Sequence, residues 1–282
     1  MIMAAITTTH PPVSTRANDR TPIFGGVVRS EWTKLRGVRS TYWTLLAAVV
    51  TTVGISALIS SIYVNSTISA ADKLTFDPTS FSLNGVFFAQ LAIGVLAVLI
   101  ITGEYSTGAI RSTLAAVPQR RTVLAAKATV FTGVTLVVGL VSCFAAFFIG
   151  QAILSTNGIQ ASIGDPGVLR AVGGSAVYLA VLGLFALGIG TLIRHSAGAI
   201  AALFGIILVL PGIVAVLPSS LSNAISRYLP SNAGQAIANT VKAAPHAHGG
   251  PPLSPLVGLG VFALYAAVTL GFAAFMMSRR DA

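Results

Sequence analysis

Residues 102–127 read TGEYSTGAIRSTLAAVPQRRTVLAAK, a polar island between two long apolar runs, Leu83–Thr102 and Ala128–Leu154. It gathers Glu104, Arg111, Arg120, Arg121 and Lys127 in a chain that is only 9% charged. Membrane-spanning segments must satisfy their own backbone groups and are normally joined by short connections, so a long structured polar stretch between two of them marks a surface with a task. Glu104 follows directly on the apolar run, and its position predicts the first turn of a new helix, where the helix dipole favours a carboxylate. Tyr105, Ile110, Leu114 and Val117 fall near helical spacing and predict a short amphipathic helix lying at the membrane face, which Pro118 ends. Arg120 and Arg121 come at the turn, placed to meet anionic headgroups, and Leu124–Lys127 lead into the next helix.

The island sits in a chain built for the bilayer. The sequence is 54% hydrophobic, with a mean hydropathy of +0.85, too apolar and too poor in charge to coat an ordinary soluble domain. About 20 apolar residues are needed to cross the hydrocarbon. Six runs qualify: Trp43–Tyr63, Leu83–Thr102, Ala128–Leu154, Val172–Ile193, Ala197–Leu217 and Leu256–Met277. An even number puts both termini on one side. With the termini and the island in the cytoplasm, all of the 17 Lys and Arg except Lys73, Arg170, Arg227 and Lys242 lie inside, the asymmetry expected of a multi-pass protein of the plasma membrane. The net charge of +10 therefore reports membrane orientation, and nucleic acid is excluded as a partner.

Before the first span, residues 1–24 lack apolar periodicity and read as a disordered cytoplasmic tail, leaving 25–282 as one six-span domain. Val28, Trp32, Leu35, Val38 and Tyr42 then step along one apolar face with Arg29, Lys34, Arg36 and Arg39 around it, predicting an interfacial helix with Trp32, Tyr42 and Trp43 at headgroup level. The fold class is all-α and integral to the membrane: six transmembrane helices, an N-terminal interfacial helix and a cytoplasmic helix in the island. Between the last two spans, Leu221, Ile225 and Leu229 share a face of a short helix ended by Pro230, and Ser231 begins a second that runs to Lys242. Ala263, Ala267 and Gly271 place small residues every four positions, and Gly54, Pro211 and Gly212 interrupt otherwise regular spans.

Several chemistries lack their residues. There is no Gly-rich phosphate loop ending in Lys and Ser or Thr, so the chain is no enzyme and binds no nucleotide of its own. No ionisable residue falls well inside an apolar run, which argues against ion-driven transport, and the four His lie outside the runs. His246 and His248 are two ligands on a Gly/Pro loop, a poor metal site. Cys143 is the single cysteine, so no intramolecular disulfide forms. Asn84, Gln90 and Gln151, near or within the runs, are the candidates for lining a substrate pathway, though interhelical hydrogen bonding accounts better for each.

The segment Gly103-Glu104-Tyr105, Gly108-Ala109-Ile110-Arg111, Leu114, Pro118, Arg121 and Lys127 resembles the cytoplasmic coupling segment of permeases of type-2 ATP-binding cassette exporters. Ser30-Glu31-Trp32-Thr33-Lys34-Leu35-Arg36, followed by Arg39-Ser40-Thr41-Tyr42-Trp43, is similar to the N-terminal approach to the membrane in bacterial, actinobacterial-like permeases of that family. The two motifs and the span pattern together cover about residues 25–280. The resemblance implies a dimer of transmembrane subunits, a second copy or a related chain, working with two separate ATPase subunits that hold ATP and Mg. It also implies a coupling surface: Glu31, Lys34 and Arg36 on the N-terminal helix, and Glu104, Tyr105, Gly108, Arg111, Pro118 and Arg121 in the island, with Glu104 and Arg111 as the polar contacts that hold its shape or its partner. An amphipathic or lipid-like cargo suits the apolar spans, with drugs, peptides and polysaccharide also compatible. The rival reading is a non-transporting membrane assembly or sensing protein whose island binds a regulator.

Overall fold

The computed structural model describes residues 24–66, 76–240 and 252–279. The readings of the N-terminal tail, of Lys73 and Lys242, and of His246 and His248 concern residues outside these. The described residues form helices and connections with no strand. A short helix, α1 (Phe24–Gly37), bends at the extended Val38 into the first long helix, α2 (Arg39–Val64). After α3 (Pro78–Ser82) come α4 (Val86–Ser106), the island helix α5 (Ala109–Ala116), the long α6 (Arg120–Leu154) and α7 (Val168–Ile193). The fifth crossing is broken: α8 (Ser196–Phe204) passes through a π-helical turn at Gly205–Val209 into α9 (Leu210–Ala215). Two short helices, α10 (Ser219–Ile225) and α11 (Pro230–Gln235), precede the last crossing, α12 (Pro255–Arg279).

Six helical stretches are long and apolar enough to span a bilayer, which makes this an all-α integral membrane protein. Their burial is unequal, and that fixes the layout. In α7, 72% of the apolar stretch is buried inside the protein, against 22% for α2, for α8–α9 and for α12. The fourth crossing is therefore the central post. The outer faces of α2 and α12 carry Leu46, Val50, Leu58, Leu264, Val268 and Phe272 in the open, as lipid-facing helices must.

Two boundaries depart from expectation. Helix α6 begins at Arg120, well before the apolar run, so it carries Lys127 in its second turn with only 3% of that residue exposed. Helix α4 continues through the island's opening residues, so Glu104 lies in its last turn, the end where the dipole disfavours a carboxylate. Helix α1 turns inward on Val27 and Glu31, whereas Trp32 and Val38 are 42% and 49% exposed. Trp32 and Val38 of the apolar stripe that predicted this helix face out, toward where lipid would lie, Leu35 packs against the core, and of the charged residues only Glu31 and Lys34 turn toward the protein while Arg29, Arg36 and Arg39 stay exposed.

At the end of the bundle away from the island, α10 and α11 do form. The second opens on Pro230, which can occupy the first turn because no partner is needed there for its missing N–H, and its helical path ends at Ala238. Helix α11 packs inward because Gly234 has no side chain: a Cβ there would come within 2.5 Å of Tyr178 and 2.7 Å of Phe262. Asp77 clamps this end. Its carboxylate caps α3 through the amides of Thr79 and Ser80 at 3.0 and 3.2 Å, and also accepts from the Thr240 amide and hydroxyl at 3.0 and 2.7 Å. Burial would push its carboxyl up, but the hydrogen bonds from Thr240 and Ser80 prevail and hold it below its ordinary value. Arg170 reinforces the clamp by donating to the Asn239 carbonyl at 2.8 Å.

Candidate functional site

Four ionisable side chains from three helices meet at the island end. Lys127 Nζ lies 2.5 Å from Glu31 Oε2 and 2.9 Å from Glu104 Oε1. Lys34 Nζ lies 2.6 Å from Glu31 Oε1 and 3.1 Å from Glu104 Oε1, and donates to the Thr113 hydroxyl of α5 at 3.0 Å. Two carboxylates and two ammonium groups thus form a neutral set joining α1, α4, α5 and α6. Side-chain exposure is 3% for Glu31, 4% for Lys127 and 13% for Glu104, but 38% for Lys34. Burying charges costs several kcal/mol each, which their mutual attraction offsets only when each has good partners. Burial alone would raise the Glu31 pKa; the Lys127 charge and the hydrogen bonds from both lysines outweigh it and hold the carboxyl below its ordinary value. Burial would lower Lys34, but the hydrogen bond to Glu31 and the charge of Glu104 keep its ammonium above its ordinary value.

The surrounding residues fix this knot in place. Gly108 turns the chain from α4 into α5 at φ +71, a left-handed conformation that costs other residues roughly 1–2 kcal/mol. Ile110, 2% exposed, pins α5 to the bundle. The Arg194 guanidinium sits 5.0 Å over the Tyr105 ring, and Thr102 shares a 2.8 Å hydrogen bond with Ser196 at the start of α8. Arg120 donates to the Met277 carbonyl at 2.9 Å, tying the end of α12 to the same region. Between α1 and α5 lies an open groove of about 430 Å³, with Val27, Ser30 and Lys34 on one wall and Thr113, Ala116 and Val117 on the other.

The expected coupling residues therefore divide. Glu31, Lys34 and Glu104 are drawn into the knot, Tyr105 and Gly108 shape its edge, and Arg36, Arg111, Pro118 and Arg121 are exposed around it. Glu104 and Arg111 do not meet: Glu104 lies before the Gly108 turn and contacts the lysines of α1 and α6, while Arg111 is on the outer side of α5. Lys127 was read as the end of the island, not as part of the coupling set. The signal for it was its place among Leu124, Ala126, Val130 and Phe131, all buried on the same face of α6.

The pathway candidates are scattered. Gln151 is engaged at both ends of its amide, donating to the Pro78 carbonyl and Ser82 hydroxyl at 2.9 Å each and accepting from the Ala161 amide at 2.7 Å. Gln90 is buried and accepts from Tyr178. Asn84 is exposed and lines a cavity at the far end.

The family model described as ABC-2 family transporter protein matches residues 27–212. The chain belongs to that family. The match spans α1, the knot, the island helix and five of the six crossings. No curated protein matches the chain. As an ABC-2 permease it is the membrane subunit of an ATP-binding cassette transporter, in a family that generally pairs with an ATP-binding subunit. The shared groove of α1 and α5 thus gains a chemical context: it is the part of this ABC-2 permease where polar, exposed side chains surround a rigid ionic centre.

Proposed function

We propose that this permease exports its cargo from the cytoplasm, as a pair of copies energised by two separate ATPase subunits that bind and hydrolyse ATP with Mg. The observation that carries the reading is the Glu31–Lys34–Glu104–Lys127 knot, because it makes α1 and α5, the two helices bordering the groove, move with the crossings α4 and α6. In this reading the ATPase seats on the groove and on the exposed Arg36, Arg111 and Arg121. Closure of the ATPase pair pushes α1 and α5 as one body, and the push reaches the fifth crossing through Thr102 and Ser196. The island end faces the cytoplasm, in keeping with its share of Lys and Arg. A second copy is supported by α12, where Gly260, Ala263, Ala267 and Gly271 are exposed on one chain, leaving room for close helix approach. The permease itself performs no covalent chemistry.

The test is purification of the tagged full-length chain from its native membranes. A P-loop ATPase should co-purify, and ATP hydrolysis should follow that subunit and be absent from the isolated chain. Arg111→Ala combined with Arg121→Ala should lower the retained ATPase while the permease stays folded. Recovery of no ATPase, or hydrolysis by the isolated chain, would overturn the reading.

A further inference from the structure

A cavity of about 530 Å³ opens at the far end, between the beginning of α4, the first half of α7, the broken fifth crossing, the turn after α10 and the short helix α11. This is the size range of sites for small organic molecules. Its walls are of two kinds. Leu83, Val86, Phe87, Pro211 and Ala215 make one side apolar, and Phe87 is itself 41% exposed on the outer surface of the bundle. The other side is polar, with Arg227, Asn232 and Gln235 beside Ser175 and Tyr178.

The polar side has a definite sign. No carboxylate is among the described lining residues, and Arg227 is the cation among them. Its Nε is buried yet donates to no acceptor among the described residues, a cost that a bound anion would remove. The amide nitrogens of Asn232 and Gln235 are turned to protein partners, to the Ser226 carbonyl at 2.9 Å and to Gln90 Oε1 at 3.4 Å. Their amide oxygens are left as acceptors, suited to hydroxyl groups. Tyr178 spends its proton on Gln90 and accepts from Gln235 Nε2 at 3.5 Å, so it holds Gln235 in place.

We propose that this cavity binds the anionic, hydroxyl-bearing headgroup of an amphiphile, a glycerophosphoryl group, with the phosphate at Arg227, the hydroxyls toward Gln235 and Asn232, and the acyl chains over Phe87 and Pro211. The inference is independent of export and of the ATPase: it concerns a site within one chain, at the opposite end from the ionic knot.

The test uses the delipidated full-length protein, phosphatidylglycerol as probe and native mass spectrometry as readout. One tightly retained phosphatidylglycerol per chain is expected, with phosphatidylcholine retained at least tenfold more weakly. Arg227→Gln should weaken retention about tenfold, Arg227→Lys much less, and Arg29→Gln on α1 should leave the tight site unchanged. Ala215→Phe, which fills the apolar side without touching the charge, should weaken it as well and decides the matter if Arg227→Gln does not fold. Unchanged retention in the folded Arg227 and Ala215 variants, or equal retention of phosphatidylcholine, would overturn the proposal. Competition by free glycerol 3-phosphate at equal concentration would reassign the site to a soluble phosphate ester and overturn the amphiphile.

Discussion

Replacing Lys127 by Met keeps the length of the side chain in α6 and removes its charge. Glu31 and Glu104, at 3% and 13% side-chain exposure, are then left to share Lys34 alone, and the neutral set acquires a buried net charge of one. Breaking a buried pair in this way costs roughly 3–5 kcal/mol, which corresponds to a fall in thermal midpoint of about 10 °C for a chain of this size. Glu31→Gln alone should cost a similar amount, since it strands Lys127 between one carboxylate and a second ammonium. The two changes together restore neutrality and leave Lys34 with Glu104 at 3.1 Å. The double variant should therefore be no less stable than the worse single one, a coupling of about 3 kcal/mol. Trp32 and Trp43 flank this region, so the midpoint of the full-length protein in lipid nanodiscs can be followed by intrinsic fluorescence. Additive effects in the double variant, or a shift of less than about 1 °C in each single variant, would refute the claim that these four groups act as one closed set.

Three further outcomes follow from the same geometry. Single cysteines at Ser112 and Ser220, both exposed, in a Cys143→Ala background should differ in whole cells, the second labelled by an impermeant thiol reagent and the first not; the reverse would place the island outside. Glu104→Gln should lower both stability and transport, whereas Arg111→Ala, exposed on α5, should lower transport and ATPase stimulation with the thermal midpoint unchanged; equal midpoints in the two variants would contradict their separation into knot and rim. The pKa of Asp77 is depressed in the folded protein, so its contribution is complete above the unfolded value of about 3.9 and is lost as pH falls through the lower folded value. Glu31 contributes with the same sign. Asp77→Asn should thus lower the midpoint at pH 7 and flatten its decline below about pH 4, as measured by a midpoint series from pH 7 to pH 3.

The crossings were legible because a bilayer leaves few options for twenty apolar residues in a row, and the amphipathic α5 because Ile110 and Leu114 repeat at helical spacing up to Pro118. What the sequence concealed were the places where charge is buried. In α1 the apolar residues Trp32 and Val38 gave the membrane-facing side as read, but the same periodicity carries no sign that Glu31 and Lys34 turn to the protein. Glu104 reads as a helix start because the apolar run stops before it; it is a helix end because two lysines distant in sequence, Lys34 and Lys127, compensate the unfavourable dipole. Contacts of that range leave no local periodicity to detect. Asp77 is similar, since two of the five hydrogen bonds to its carboxylate come from Thr240.

The fifth crossing is two stiff rods with a compliant joint. A π-helical turn at Gly205–Val209 has already widened the backbone there, and Pro211 supplies no N–H to the carbonyl one turn before it. Bending at this point sacrifices fewer backbone hydrogen bonds than bending anywhere in the uninterrupted α6 or α7. The upper rod starts at Ser196, bonded to Thr102 beside the ionic knot, and the lower one presents Pro211 and Ala215 to the far cavity. The point where this crossing bends most cheaply therefore lies between the end that Ser196 ties to Thr102 and the end that walls the far cavity.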